Sequence, residues 1–469
     1  MKKNITNNNF ENETLSEKEF FIISWLVSAA FFIIMINGTI LNTALPAIAK
    51  ELNVPTLKVQ SIVVVYLLSV AFFLPMSGWL ADKLGAKRVF IYSIILFSFT
   101  SVLCGFCESL ETLLIARVIQ GFGGSMMAPI GRLIILKVFP KERFVRALSF
   151  VMLPALLGPI LGPPAGGFIV EYFSWQWTFW FNFPIGIFLA IVSYYKMPKI
   201  SKNVETKLDW FGFFTLSFSV VFICILTDRT RLINISENLK IFTTIFSVLL
   251  LIVFWIHIKT SKAPLFNPKI FEIKSFNVGI IGNILSRIGF SAMPLLAPLM
   301  MQVPLKMSPS KSGTIMLSLG ISSIVGKLCV NKMIESVGYR FLLVFNTFII
   351  GFIICLFAFV RETTGEIEII FLLFCLGFTN SIQFTAMNTL TLVDLPKNYA
   401  NDGNSLLSVI IQVGLVLGVS CGASVVTIFK ESFPDKGILE IFHYSFVSLG
   451  IFTMLSAISF VFTPKDAGK

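Results

Sequence analysis

Apolar and polar positions do not alternate along this chain. Apolar residues come in blocks of roughly twenty, and the short stretches between the blocks carry most of the charge. A block of that length crosses the ~30 Å hydrocarbon core of a bilayer as one helix. Fourteen such spans are predicted, near 21–42, 59–81, 88–107, 111–139, 146–170, 176–196, 208–227, 240–258, 276–301, 312–333, 340–360, 366–390, 404–428 and 440–462. Spans four and five contain Gly and Pro that would weaken a helix in water. Inside a membrane such helices survive because neighbouring groups satisfy the freed backbone. The fold class expected is therefore an all-α polytopic membrane protein.

Composition sharpens this picture. The 469 residues are 55% hydrophobic and 13% charged, with 50 Phe. A soluble surface of that size would need far more polar side chains, so lipid is the solvent these faces expect. The net charge of +12 does not mark a nucleic-acid surface, because the bases sit in short clusters between spans. Of the 37 Lys and Arg, 23 fall on the side of the N-terminus, 10 on the other, and Arg117, Arg132, Arg287 and Lys327 lie inside spans. The positive-inside rule then puts both termini in the cytoplasm.

Residues 1–20 are polar and Asn-rich, with no small-residue cleavage site after them, so span one is expected to remain uncleaved. The seven Cys, including the pair Cys104 and Cys107, lie in or beside apolar runs and read as packing residues rather than a metal or redox set. The longest inside connections flank spans seven and eight. The expected organisation is a tail at 1–20, a six-helix bundle at 21–196, two inserted helices with their loops at 197–275, a second six-helix bundle at 276–463 and a tail at 464–469. Paired six-helix bundles with a site between them are a recurrent transporter plan.

Several local patterns carry chemistry. Between spans two and three, Gly78, Asp82, Lys83, Gly85, Lys87 and Arg88 pack an acid, two glycines and three bases into one turn. Glycine permits the reversal, and the acid can hold a base or a helix N-terminus in one state and release it in another. Span four opens with Arg117, Gln120, Gly121, Gly123 and Gly124; span five carries Gly158, Pro159, Gly162, Pro163, Gly166 and Gly167; span one ends with Asn42 through Pro46. Span six begins with Trp175, Trp177, Asn182 and Pro184, and the second half adds Asn388 through Pro396 and the stretch Gln412 to Gly418.

In this order and spacing the motifs resemble the major facilitator superfamily, and more closely its fourteen-span drug:proton antiporter branch, over essentially the whole chain. The resemblance implies a major facilitator fold of two six-helix bundles plus two extra helices, with 78–88 as an inward gate and the span-five Gly/Pro run as an antiporter-like hinge. A second-half echo of the turn, through Gly326, Asn331, Lys332, Gly338 and Arg340, looks degenerate, with Asn331 expected where an acid would stand.

The chain departs from that branch in span one. Many members carry an Asp where this chain has Asn37, which cannot bind a proton. No Asp or Glu lies well inside any predicted span, whereas Arg287 sits near mid-bilayer. Buried ionisable residues are functional candidates. Asn283, Arg287 and Ser291 share a helix face, Arg117 and Arg132 are expected to look into one cavity, and Asn380 and Gln383 add a polar face in span twelve. Arg117 also fits a structural or coupling role, and Arg132 and Lys327 fit snorkelling to the interface. His257 and His443 read as interfacial.

An arginine-lined cavity without carboxylates favours an anion. The leading expectation is a secondary transporter of a carboxylate-bearing metabolite or siderophore, with proton-coupled efflux of lipophilic cations as the alternative. The substrate-binding or coupling set is Arg287, Arg117, Arg132, Asn37, Asn42, Gln120, Asn283, Asn380 and Gln383. An enzyme would need a converging acid, base or metal set, which the chain lacks. No cofactor and no ATP are implied, since no Walker-type loop is present. The expected partners are a small solute, the lipid bilayer and protons, with the chain acting as a monomer in a bacterial cytoplasmic membrane.

Overall fold

The computed structural model describes residues 17–139, 141–198, 208–227, 237–261, 264–396, 399–464 and 467. The expectations for the polar leader before residue 17, for the connection at 199–207 and for most of the C-terminal tail lie outside the described residues. All regular structure among the described residues is helical. Those of eight residues or more are α1 (Glu17–Ile40), α2 (Ser61–Phe73), α3 (Ser77–Leu84), α4 (Ala86–Gly105), α5 (Leu110–Val138), α6 (Lys141–Tyr172) and α7 (Asn182–Lys196). They continue with α8 (Trp210–Thr227), α9 (Glu237–Thr260), α10 (Lys274–Gln302), α11 (Pro309–Leu356), α12 (Glu366–Val393), α13 (Ala400–Ser432) and α14 (Ile438–Ser456).

Among the described residues, eleven helical stretches are long and apolar enough to cross a membrane. One of them, Pro309–Phe359, has 51 residues. At 1.5 Å per residue that is roughly 77 Å, too long for one crossing. It breaks at Gly338, whose φ of 76° is left-handed and open only to a residue without Cβ. Stretches α2 and α3 form one pass, bent by a 3₁₀ turn at Leu74–Met76 that contains Pro75. With α6 and the shorter apolar helix Trp210–Leu226, the arrangement is consistent with fourteen passes.

Gly338 and Gly85 are the two glycines with positive φ among the described residues. Gly85, at φ 94°, separates α3 from α4. Setting Gly338 on Gly85 places Glu335 on Asp82, Arg340 on Lys87 and Asn331 on Gly78. The expectation that Asn331 occupies the acid's place is corrected by this register, because the backbone conformation fixes which glycine is equivalent. The acid of the second turn is Glu335.

Large apolar side chains point outward throughout. Phe99, Phe188, Phe352 and Phe371 are each more than half exposed, as helices facing lipid require. Helix α9 is the extreme case: 22% of its apolar stretch is buried, and it packs chiefly on α8.

Helix α6 shows why a Gly/Pro-rich sequence is needed there. A Cβ added at Gly158 would meet Met35 at 2.6 Å, and one at Gly162 would meet the Thr39 hydroxyl at 2.0 Å. At Gly166 it would meet the Ile40 carbonyl at 2.1 Å, all three contacts being with α1 and its end. Gly167 turns to the other neighbour, where a Cβ would lie 2.2 Å from the Pro309 carbonyl. Reciprocally, one at Gly313 would lie 2.4 Å from the Pro163 carbonyl. Helix α6 is thus wedged between α1 and α11 with backbones in contact. Thr43 Oγ1 donates to that same Pro163 carbonyl at 3.1 Å.

The far end of the molecule, away from Gly85 and Gly338, is tied across these helices. Glu171 Oε2, in the last turn of α6, accepts from the Ser310 backbone N–H of α11 at 2.9 Å. Gln302 Nε2 donates to the Thr43 carbonyl at 3.1 Å and to Ser312 Oγ at 2.9 Å. Lys311 pairs with Glu366 at 2.5 Å.

Candidate functional site

Two buried polar clusters stand out, one in the first group of helices and one in the last. The first is built on Arg117 of α5, 1% exposed. Its Nε donates to the Ile62 carbonyl at 3.1 Å and its Nη1 to Gln120 Oε1 at 2.5 Å. Gln120 Nε2 in turn donates to Ser101 Oγ at 2.5 Å. The guanidinium lies 4.1 Å from the Tyr66 ring centre and 5.7 Å from that of Phe179. A buried cation without a carboxylate is held here by aromatic faces and carbonyl oxygens.

Asn37 is fully buried beside this cluster. Its Oδ1 accepts from Asn182 Nδ2 at 3.5 Å, while its own Nδ2 and the Asn182 Oδ1 have no partner. Asn42 is buried as well, with Oδ1 unpartnered. The expectation that Arg117 shares a cavity with Arg132 meets a correction: Arg117 is enclosed and its donors go to Ile62 and Gln120. Arg132, toward the other end of α5, is half-buried with Nε unpartnered.

The second cluster is built on Arg287 of α10, 7% exposed. Its Nε donates to Asn283 Oδ1 at 3.1 Å, one turn earlier. Asn283 Nδ2 donates to the Gly279 carbonyl at 3.0 Å and reaches Thr391 Oγ1 at 3.5 Å. The arginine stem lies along α13, where a Cβ at Gly414 would come within 2.8 Å of Arg287 Cδ. Its guanidinium sits 4.6 Å from the ring centre of Phe384, which is itself 42% exposed. Nη2 is buried without a partner, as are Ser291 Oγ and Asn388 Oδ1. A cation with an unused donor beside an open ring can take a planar anionic group.

Gln383 turns away from such a role. Its Nε2 donates to Thr347 Oγ1 at 2.7 Å and its Oε1 accepts from Asn346 Nδ2 at 2.9 Å, so both ends of the amide are used between α11 and α12. Asn380, also on α12, is half-buried. Lys327 is exposed, in keeping with snorkelling. The residues that sequence reasoning missed are Phe384 and Tyr66. Among 50 Phe no periodicity singles out the one that carries a guanidinium.

At the turn, Asp82 Oδ1 accepts from Lys137 Nζ of α5 at 3.3 Å. Lys83 lies over Trp79 at 4.8 Å. Lys87 reaches the Met197 carbonyl at 2.5 Å, and Arg88 is exposed. A Cβ at Gly78 would meet nothing within 4 Å, so its role there is not set by crowding. Among the histidines, His257 Nε2 is 2.8 Å from Asp209 Oδ1, and His443 Nε2 is 2.6 Å from the Val360 carbonyl.

A family model described as Major Facilitator Superfamily matches residues 27–419 and 279–469. A protein of Pectobacterium atrosepticum, provisionally named multidrug resistance protein MdtD, is 38% identical over 449 residues, which is 95% of this chain and 96% of that one. An Escherichia coli protein of the same provisional name is 35% identical over 445 residues, 94% of each chain. Among solved structures, a D-xylose-proton symporter superposes with a TM-score of 0.68 at 12% identity, covering 96% of this chain and 99% of that one. The nucleoside transporter NupG superposes at 0.66, also at 12% identity, covering 93% and 98%.

Proposed function

Since the chain belongs to the Major Facilitator Superfamily of secondary transporters, we propose that it exports small organic compounds in the manner of multidrug efflux. The names of the relatives, matched over nearly their full length, support this reading and favour the efflux alternative over a dedicated metabolite or siderophore carrier. The proposed mechanism is alternating access, with 21–196 rocking against 276–463 and both termini in the bacterial cytoplasm. A proton gradient drives it, and the chain works as a monomer.

The observation that carries the substrate side is the pairing of Arg287 with Phe384. An unpartnered guanidinium nitrogen beside a half-open ring suits amphiphiles that combine an apolar body with an anionic group. A second, narrower reading follows from Arg287 alone: a specific carboxylate-bearing solute. Asn37 supports it, since that position offers no negative charge to a lipophilic cation.

The test is dye accumulation inside inverted membrane vesicles, where cellular export appears as uptake, with ethidium as a cation and carboxyfluorescein as an anion, in native protein and in Arg287→Ala. Export of both dyes, with only the anion lost in the variant, supports multidrug-type efflux with an anion-preferring site. Export of the anion alone favours the narrower reading. Export of ethidium alone, unchanged in the variant, removes Arg287 from substrate recognition.

A further inference from the structure

Helix α8 occupies a position that the transport reading leaves unused. Its buried residues Phe213, Ser217, Val220 and Cys224 recur every three or four positions and form one face. That face meets α2. The Phe72 ring centre is 5.6 Å from that of Phe213 and 5.4 Å from that of Phe218, and Trp79 is 5.3 Å from Trp210. The hydroxyl of Ser217, itself 2% exposed, donates to the Phe72 carbonyl at 2.9 Å. Helix α8 also packs on α13. There Gln412 Nε2 donates to the Leu67 carbonyl of α2 at 3.2 Å. The inserted helix therefore lies along the seam between a helix of the first group and a helix of the last.

Phe72 is at the weakest point of its pass. Pro75 has no N–H, so the carbonyl four residues earlier, that of Ala71, loses its donor. The chain there tightens into the 3₁₀ turn Leu74–Met76 before α3 begins. Helix α3 carries Asp82 and ends at Gly85. Whatever sets the bend at Pro75 sets where that turn stands relative to Lys137. The Ser217 hydroxyl bonds the carbonyl next to the orphaned one, on the near side of the bend, while Trp210 packs on Trp79 beyond it. Helix α8 thus grips the second pass on both sides of its break.

We propose that Ser217 is a positioning residue: through its bond to the Phe72 carbonyl, the inserted helix α8 fixes the bend of the second pass at Pro75 and thereby the place of the turn Gly78–Arg88. The extra helix pair then acts as a brace on the gate arm as well as a surface toward lipid. The hydroxyl adds a bond to the carbonyl beside the one that the proline leaves without a donor.

The discriminating pair is Ser217→Thr and Ser217→Val, nearly the same shape with and without the donor. Amide hydrogen exchange is followed on peptides spanning 68–90 in the detergent-solubilised full chain, and export of ethidium and carboxyfluorescein in vesicles. The expected result is exchange several-fold faster between Phe72 and Arg88 in Ser217→Val, with α10–α14 unchanged and native behaviour restored in Ser217→Thr. Export of whichever dye the native chain moves should fall several-fold in the Val variant at unchanged apparent KM. Equal exchange in the two variants overturns the proposal, and so does faster exchange spread over the whole chain. Because exchange needs no substrate, a failure of the brace is distinguishable from a failure of the efflux reading.

Discussion

Arg287 and Phe384 meet across two helices, guanidinium to ring centre at 4.6 Å, with Arg287 Nη2 left unpartnered. Cation–π contact at a desolvated site contributes about 2 kcal/mol or somewhat more, which falls short of what a buried cation loses in leaving water. The site is therefore held in a poor electrostatic state, which, on the proposed reading, a bound anionic group relieves. Replacing Arg287 by Met should raise the stability of the empty protein, by about 1–4 kcal/mol on the scale of buried charges replaced by apolar side chains, while abolishing stabilisation by aromatic carboxylates. A thermal-shift titration reads both effects. A variant that is less stable when empty would mean that the charge is already compensated.

Arg287→Lys keeps the charge but not the planar fork. Hydrogen bonds to charged groups contribute about 1.5–3 kcal/mol, so losing the two-point grip should weaken carboxylate binding by roughly 10-fold to 100-fold. Isothermal titration with a monocarboxylate dye measures it. Native affinity in the Lys variant would show that only the charge matters.

Asn37→Asp places a titratable group beside Asn182, one polar cluster away from Arg117. The buried Asn37 already has an unpartnered Nδ2, so the site has room for a different hydrogen-bond pattern. The variant should export dye with a steeper dependence on the pH gradient than the native chain. Identical pH profiles between pH 5 and 8 would show that this position does not couple to protons.

Glu171 gives a pH effect with a definite sign. The Ser310 hydroxyl, the Ser310 backbone N–H and then the Ser308 hydroxyl all favour its carboxylate, holding it below the ordinary range. A depressed acid stabilises the tied arrangement above its ordinary pKa of about 4 and loses that contribution as pH falls through the lowered value. Acidifying through that lowered value should loosen the α6–α11 contact at the far end, and Glu171→Gln should remove the pH dependence. Hydrogen exchange at Ser310–Thr314 reports it; exchange that ignores pH in the native chain, beyond the intrinsic rate change, would contradict the assignment.

Gly313→Ala tests the wedge of α6. Its Cβ would fall 2.4 Å from the Pro163 carbonyl, so backbone must move, at a cost of about 1–3 kcal/mol. Gly78→Ala, in open space, is the control and should melt like the native chain. Equal melting of the two variants would show that the close approach is not required.

The membrane class, the helical passes and the family are readable in the sequence because they rest on long apolar blocks and ordered Gly and Pro positions, signals that survive without tertiary information. The site is readable only in part. Arg287 announces itself as a charge in an apolar run, but Arg117 looks the same in sequence. The structure separates them through Ile62, Gln120 and Tyr66, which lie on other turns or other helices. Gln383 fails as a cavity residue because its partners, Asn346 and Thr347, come from the preceding pass. In the second turn, residue type alone points to Asn331, because it carries no information on backbone conformation. The φ of Gly338 identifies Glu335 instead.

No acidic residue lies well inside the predicted spans to offset their arginines, and this bears on how membrane voltage acts on the carrier. A unit charge crossing a 100 mV potential exchanges about 2.3 kcal/mol with the field. If Arg287 shifts even part of the way along the normal as the bundles rock, the empty carrier feels a bias toward the negative side. A bound anion cancels that charge and lets the loaded carrier return without it. Voltage would then act chiefly on the unloaded half of the cycle, making the resetting stroke, rather than cargo delivery, the electrically sensitive one.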